Sequence, residues 1–450
     1  MMTSPPNIIL VHSHDLGQYL GCYDVDIATP NIDRLAEEGA RFPNHFTAAP
    51  QCSPSRGSLF TGLYPHRHGL LGLAHTEWEL DVERTLPYRL SERGYETHLF
   101  GLQHISETPD DLGYDETHTA GSLSPDVSPE VHSINRARDV AETVESYLNA
   151  DLQSPFFASV GFFEAHRLEM GEDEEEGDVL YGFGDRYDGD DPDSIEVPSF
   201  LPDKPGVRED LAAMRGMVYA IDDAVGTIFD AIESAGLDNE TLVIFTTEHG
   251  IAFPRAKGTC YDPGIQGCLL LWCPSLIDAG TVPEHLVSNV DILPTILDLV
   301  TDEVPDQVDG HSLMPIFDAD MMYYPRDELF AEITWHDMYN PMRAVRTDRF
   351  KYIRRFWHLP RTFLPNDVYA SLAGREVRGR YGRPSRAYEE LYDLKLDPYE
   401  RENVADDEAY AQVRTKLLSK LSTWMHETDD PLLDGPIVPE DYDRMFDGIT

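Results

Sequence analysis

The sequence predicts an α/β fold, a large mixed and mainly parallel sheet flanked by helices, with a smaller C-terminal α+β domain. Three observations predict it. Short apolar runs of buried-strand type each end on polar or ionisable residues, the layout of a parallel sheet whose strand carboxyl ends carry a site. Amphipathic stretches with readable caps lie between those runs, so strands alternate with helices. Beyond about residue 326 the apolar runs crowd together, as antiparallel strands do.

Taken in order, residues 8–11 run into His12-Ser13-His14-Asp15, and residues 97–100 into Gly101-Leu102-Gln103-His104. Residues 156–163 run into Glu164-Ala165-His166-Arg167, and residues 242–245 into Thr246-Thr247-Glu248-His249-Gly250. Residues 268–272 supply a fifth strand. Thr29-Pro30 opens a helix that Gly39 closes, with Ile32, Leu35 and Ala36 on one face. Longer and shorter amphipathic stretches follow at 208–234 and 291–299. These elements make a catalytic α/β domain over residues 1–325. In residues 326–450, runs at 329–335, 342–347 and 350–354 predict an antiparallel sheet. A final helix over 406–428 carries Val413, Leu417, Leu418, Leu421 and Trp424 at helical spacing. No internal repeat is present, and the acidic stretch 172–176 with the Asp/Gly-rich segment after it reads as a solvated loop.

Of 450 residues, 35 are Lys or Arg and 82 are Asp or Glu, a net charge of −47. That excludes a nucleic-acid binder held by phosphate contacts. Hydrophobic residues at 41% and aromatics at 10% supply a packed core and exclude a disordered chain. Only Lys204, Lys257, Lys351, Lys395, Lys416 and Lys420 are lysines. Many acids with few lysines describe a halophilic surface. The five cysteines, Cys22, Cys52, Cys260, Cys268 and Cys273, are too few and odd in number for a disulfide framework, which points to a reducing compartment. Residues 1–6 lack a basic region, and the apolar run 7–11 is too short for a signal segment or a membrane span. The expectation is a soluble, cytoplasmic protein with no membrane partner.

The most specific chemical feature is Cys52-Ser53-Pro54-Ser55-Arg56-Gly57-Ser58-Leu59-Phe60-Thr61-Gly62. Pro54 suits the first turn of a helix, which would set Cys52 at its positive end, where an anionic nucleophile is stabilised, with Arg56 as a fixed cation nearby. With Tyr64-Pro65-His66-Arg67-His68-Gly69 after it, this segment resembles the signature of type I sulfatases, formylglycine-dependent members of the alkaline phosphatase superfamily. Similarity continues through residues 29–36, 242–246, 291–295 and 390–394 with Asp397-Pro398. Gly250-Ile251-Ala252-Phe253-Pro254, Pro341-Met342-Arg343-Ala344-Val345 and Trp424-Met425-His426-Glu427-Thr428 resemble the heparan N-sulfatase, or sulfamidase, branch.

The resemblance implies an alkaline-phosphatase-like fold and a cysteine converted to formylglycine by a formylglycine-generating enzyme. It implies hydrolysis of an O- or N-sulfate on a small or oligomeric sulfated sugar. A geminal diol suits this chemistry, because one hydroxyl attacks sulfur and the other then loses its proton to expel sulfate. The metal positions depart from the family's oxygen-only set. His14-Asp15 and Glu248-His249 stand where Asp-Asp and Asp-Asn are usual, and with the converted Cys52 they favour one divalent Mn, Zn or Fe over Ca. His104 matches the base that deprotonates the formylglycine hydrate, and His166 the acid that protonates the leaving group. Arg56, Lys257, Arg167 and Arg343 are expected around the sulfuryl group and substrate, while Leu102 replaces a usual lysine.

Two alternatives stay open on sequence: a phosphodiester or phosphonate monoester hydrolase with the same nucleophile, and an inactive homologue that binds sulfated glycan. From 354 to 386 lie Arg354, Arg355, Arg361, Arg375, Arg378, Arg380, Arg383 and Arg386 against Asp367 and Glu376, a net +6 island. In molar salt, where the Debye length falls to about 3 Å, such a local cluster outweighs the global field for an approaching anion. An oligomer is compatible with the sequence.

Overall fold

The computed structural model describes residues 5–74, 78–118, 135–150, 152, 155–169, 179–181, 187–301, 304–357, 364–379 and 387–438. Its central sheet has seven strands: β1 (Asn7–Ser13), β2 (Ala40–Arg41), β3 (Glu96–Gly101), β4 (Glu116–Thr117), β5 (Phe156–Gly161), β6 (Thr241–Thr247) and β7 (Leu269–Trp272). Their order is β2-β7-β6-β1-β5-β3-β4. β1 is parallel to β5 and β6, and β3 is parallel to β5 and β4. Only β7, paired with β6 and β2, runs antiparallel. β1 and β6 are buried at every position, which is why they read as unbroken apolar runs rather than alternating ones.

Helices α1 (Pro30–Glu38), α2 (Cys52–Thr61), α3 (Ala137–Leu148), α4 (Pro205–Ser234) and α5 (Ile292–Thr301) cover both faces. Ile9 and Val11 of β1 share a core with Leu35 of α1, Val140 of α3 and Val218 of α4. Ile8 and Leu10 point the other way, into a core with Leu59 and Phe60 of α2 and Ile296 of α5. Period-two alternation along one strand therefore feeds two hydrophobic layers. α4 begins three residues before the predicted 208, because Pro205 occupies its first turn with a backbone angle already suited to a helix.

A second sheet of β8 (Glu328–Trp335), β9 (Tyr339–Thr347), β10 (Phe350–Arg355) and β11 (Glu389–Asp393) is antiparallel throughout, in that order. A short helix α6 (Asn366–Ala370) precedes β11, and α7 (Ala411–Glu427) follows it. α7 starts five residues later than predicted, because the Asp407 side chain accepts from Ala409 N at 2.9 Å and caps a separate tight turn, Glu408–Tyr410. Leu417, Leu421 and Trp424 of α7 pack with Val345 and Tyr352 of the second sheet, and with Ala48, Tyr64 and Val290 from the first part of the chain. This cluster fastens the second sheet to loops of the first part of the chain. The acidic stretch 172–176 and Arg361, Arg380, Arg383 and Arg386 of the arginine island lie outside the described residues. Of the other island arginines, Arg355 pairs with Glu390 at 2.6 Å, while Arg354, Arg375 and Arg378 are exposed. Among the described residues no helix is long and apolar enough to cross a membrane.

Candidate active site

The four parallel strands β3, β5, β1 and β6 end at one level, since His12 is in register with Gly161, Gly101 with Gly161, and Ser13 with Thr247. Everything that follows these strands therefore converges on one edge of the sheet. The close approach demands glycine at 161, where a Cβ would lie 1.9 Å from the Leu102 carbonyl oxygen. Asp15 and His104 turn the chain off their strands with φ of 51° and 54°, the left-handed region that few non-glycine residues occupy.

Cys52 is the first residue of α2, and the helix is buried along its whole length. Its Sγ lies 3.5 Å from His249 Nε2. Burial opposes a negative charge there, but Lys257, His14 and His104 outweigh it and hold the thiol well below its usual range. The pocket is thus organised to stabilise an anion at the position of the nucleophile. Asn289 fixes the helix start by donating to the Ser55 carbonyl and hydroxyl oxygens, each at 2.9 Å.

Around that atom the ionisable side chains form one connected group. His14 Nδ1 is 2.7 Å from Glu248 Oε1, and His249 Nε2 is 3.2 Å from Asp15 Oδ1. Donor atoms of His14, Asp15, Cys52 and Glu248 all lie within 4.8 Å of one another, and His249 Nε2 reaches three of them. Two buried carboxylates and two imidazoles facing each other carry the charge and lone pairs a divalent cation needs, so the residues fit the metal the fold implies. Lys257 Nζ is 3.0 Å from Asp15, 2.8 Å from Asp367 and 3.5 Å from His166 Nε2. Burial opposes its charge, but Asp15 and then Asp367 outweigh burial and raise its pKa well above the ordinary value. His166 is the reverse case. Burial, reinforced by Lys257 and His14, lowers its pKa to about 3, so this imidazole stands neutral beside a charged lysine.

Three of the expected cationic contacts differ from the sequence reading. Arg56 is engaged by neighbouring groups: it donates to the Ser13 carbonyl at 3.2 Å and Glu248 Oε2 at 3.3 Å, and touches His12 Nδ1 at 2.5 Å. It is a positioning residue for Glu248. Arg167 pairs with Asp210 of α4 at 2.9 Å and donates to the Ala252 carbonyl, so its charge is committed within the fold. Arg343 is fully buried in β9, 2.6 Å from Asp430 and 3.1 Å from Glu332, and holds the second sheet to the segment after α7. Every guanidinium nitrogen of Arg343 is hydrogen-bonded within the fold, so none is left over for substrate. Replacing Arg343 with methionine is expected to cost about 3–5 kcal/mol of stability, because two buried carboxylates lose their partner. Denaturant melts measure the loss, and turnover per folded molecule is expected to stay unchanged.

Sequence reading missed Asp367, which it counted only as an acid within the arginine island. Asp367 lies in the first turn of α6 and joins Lys257, while Asn366 N at the helix start donates to Asp337 just beyond β8 at 2.7 Å. His336, next to Asp337, lies within electrostatic reach of Lys257 and Cys52. The second sheet therefore supplies one wall of the site, which no local pattern in the sequence announces.

A nucleophile at a helix start, a cation-ready cluster and a charged lysine define a hydrolase of anionic esters. Comparison with known proteins sharpens this. The sulfatase family model matches residues 6–302, and the model described as N-sulphoglucosamine sulphohydrolase, C-terminal, matches residues 248–366. Human N-sulphoglucosamine sulphohydrolase is 33% identical over 96% of this chain and 92% of its own length. Among solved structures, the phosphonate monoester hydrolase of Agrobacterium radiobacter has a TM-score of 0.68 at 22% identity, over 94% of this chain and 96% of that one. A protein solved with its substrate D-glucosamine-2-N,6-O-disulfate has a TM-score of 0.70 at 20% identity, over 96% of this chain and 99% of that one. At such identities the two structures speak for the fold alone. The chain belongs to the sulfatase family. It is a hydrolase of sulfate esters or sulfamates. Membership implies formylglycine at the cysteine of the signature and a bound metal.

Proposed function

We propose that this sulfatase removes the N-sulfate of a glucosamine-type sugar. The observation that supports the reading is that the N-sulphoglucosamine sulphohydrolase C-terminal model spans residues 248–366, the segment that carries Glu248, His249 and Lys257 and ends one residue before Asp367. Formylglycine at position 52, as its hydrate, supplies the hydroxyl that attacks sulfur and a second hydroxyl whose deprotonation expels sulfate. The metal supplies a fixed positive charge for the sulfuryl oxygens. His14, Asp15, Glu248 and His249 would hold it, and this mixed nitrogen and oxygen set favours Mn, Zn or Fe over Ca.

The remaining steps fall to the chain's own side chains. His104, which acts electrostatically on the position-52 side chain, accepts the proton of the attacking hydroxyl. Lys257 offsets negative charge on the transferring group, a contribution largest in a site closed to water. Lys257 carries the proton on this side of the site, and the neutral His166 imidazole, its Nε2 3.5 Å away, accepts that proton and passes it to the departing nitrogen. Arg56 keeps the Glu248 carboxylate oriented. Maturation by a formylglycine-generating enzyme completes the scheme.

Parallel assays on N-sulfoglucosamine, glucosamine 6-sulfate, an aryl sulfate and an aryl phosphodiester test the reading. The expected result is the highest kcat/KM on N-sulfoglucosamine. A higher value on glucosamine 6-sulfate would move the assignment to an O-sulfatase, and one on the phosphodiester to phosphorus chemistry. Elemental analysis of the purified protein is expected to find manganese, zinc or iron in place of calcium, and chelation is expected to abolish turnover.

A further inference from the structure

A second cluster of ligand-type side chains lies away from the site, at the far edge of the central sheet. His98 is on β3, Glu116 is on the two-residue edge strand β4, and His118 follows it. His98 and Glu116 are cross-strand register partners. His98 Nδ1 and His118 Nε2 face each other at 3.0 Å, and His118 Nε2 is 3.6 Å from Glu116 Oε2. Ligand atoms of all three lie within 4.8 Å of one another. In a tetrahedral zinc site with bonds of about 2.0–2.2 Å, ligand atoms stand about 3.3–3.6 Å apart, and the observed separations bracket that range.

The surroundings suit a bound cation better than a protonated imidazole pair. The His98 ring is buried and the His118 ring mostly so, a setting in which a second charge on the imidazole pair would be poorly solvated. Their facing nitrogens form an N–H···N hydrogen bond at 3.0 Å, and a change of tautomer on the donor ring turns both lone pairs toward a shared cation. His118 stacks on Phe100 with ring centroids 4.3 Å apart, and Tyr147 of α3 lies 4.4 Å from His98. These rings wall one side and fix the orientation of both imidazoles. Glu116 is on the open side, its side chain 61% exposed, leaving room for a water as fourth ligand.

We propose that His98, Glu116 and His118 form a second, structural site for a zinc-class divalent cation that clips edge strand β4 to β3. Such a clip has mechanical value here. β4 has only two residues, is held by register pairs to 98 and 99, and is flanked by Asp115 N donating to Thr97 O at 2.9 Å and His118 N donating to Leu99 O at 2.8 Å. The strand it would brace, β3, leads directly to His104. Two imidazoles and a carboxylate match the ligand preference of zinc, and the edge position gives the ion direct entry from solvent.

The test is a zinc titration of the chelator-stripped full chain against a competing metal indicator, with folding checked by circular dichroism. Wild type is expected to bind two equivalents, His98→Asn and His118→Asn one each, and Asp15→Asn one by losing the other site. The double variant Asp15→Asn/His118→Asn is expected to bind none. If His98→Asn fails to fold, His118→Asn decides, because its side chain is partly exposed and outside the core. An unchanged stoichiometry in His118→Asn overturns the proposal, as does a wild type that binds a single equivalent which Asp15→Asn removes. Hydrolysis of N-sulfoglucosamine by the reloaded His118→Asn variant is expected to match wild type, which separates this site from the catalytic one.

Discussion

Replacing Cys52 with alanine lowers kcat/KM for N-sulfoglucosamine by at least about four orders of magnitude, because no other side chain can take the place of a covalent nucleophile. Cys52 is buried at the start of a buried helix, and alanine keeps its backbone and most of its volume. Stability is therefore expected to change by less than about 1.5 kcal/mol. The measurement is steady-state hydrolysis beside a denaturant melt, with mass spectrometry of the Cys52 peptide from active wild-type protein. Modified residue in the wild type together with lost turnover in the variant is the expected pair of results. An unmodified thiol in fully active protein would remove the mechanism.

The second large effect is expected at Lys257. Lys257→Met lowers kcat/KM by about 10²–10³, the usual cost of losing one charged group that faces the transition state. It also exposes an imbalance. Asp15 and Asp367 both rely on this ammonium, at 3.0 and 2.8 Å, and Asp15 is wholly buried. A stability loss of about 3–5 kcal/mol is expected in chelated protein. Added manganese is expected to shrink that loss, since a cation near Asp15 replaces the missing charge. Equal losses with and without metal would show that Lys257 and the cation do not share Asp15.

Much of this arrangement was legible in the sequence. Each apolar run that ended on a histidine or carboxylate became a strand delivering that residue to the same edge, because parallel neighbours in register end together and hand their following residues to one side of the sheet. Direction was not legible: nothing in the run at 268–272 distinguishes the antiparallel β7 from its parallel neighbours. Arg167 and Arg343 show a second limit. A family position suggests a cation, but whether its charge is free depends on Asp210 and Asp430, 43 and 87 residues further along the chain. Asp367 shows the converse. Its surroundings in sequence are basic, and only the docking of α6 beside Lys257 reveals its role.

The Arg343 pairings also set a schedule for synthesis. Glu332 precedes Arg343 but is shared with His66, whose ring nitrogen it holds at 2.6 Å. Asp430 emerges 87 residues after Arg343, a delay of about 4–17 s at ribosomal elongation rates of about 5–20 residues per second. Until then one of the two carboxylates that neutralise the buried Arg343 guanidinium is missing, so the charge balance inside the second sheet is completed only by the segment after α7.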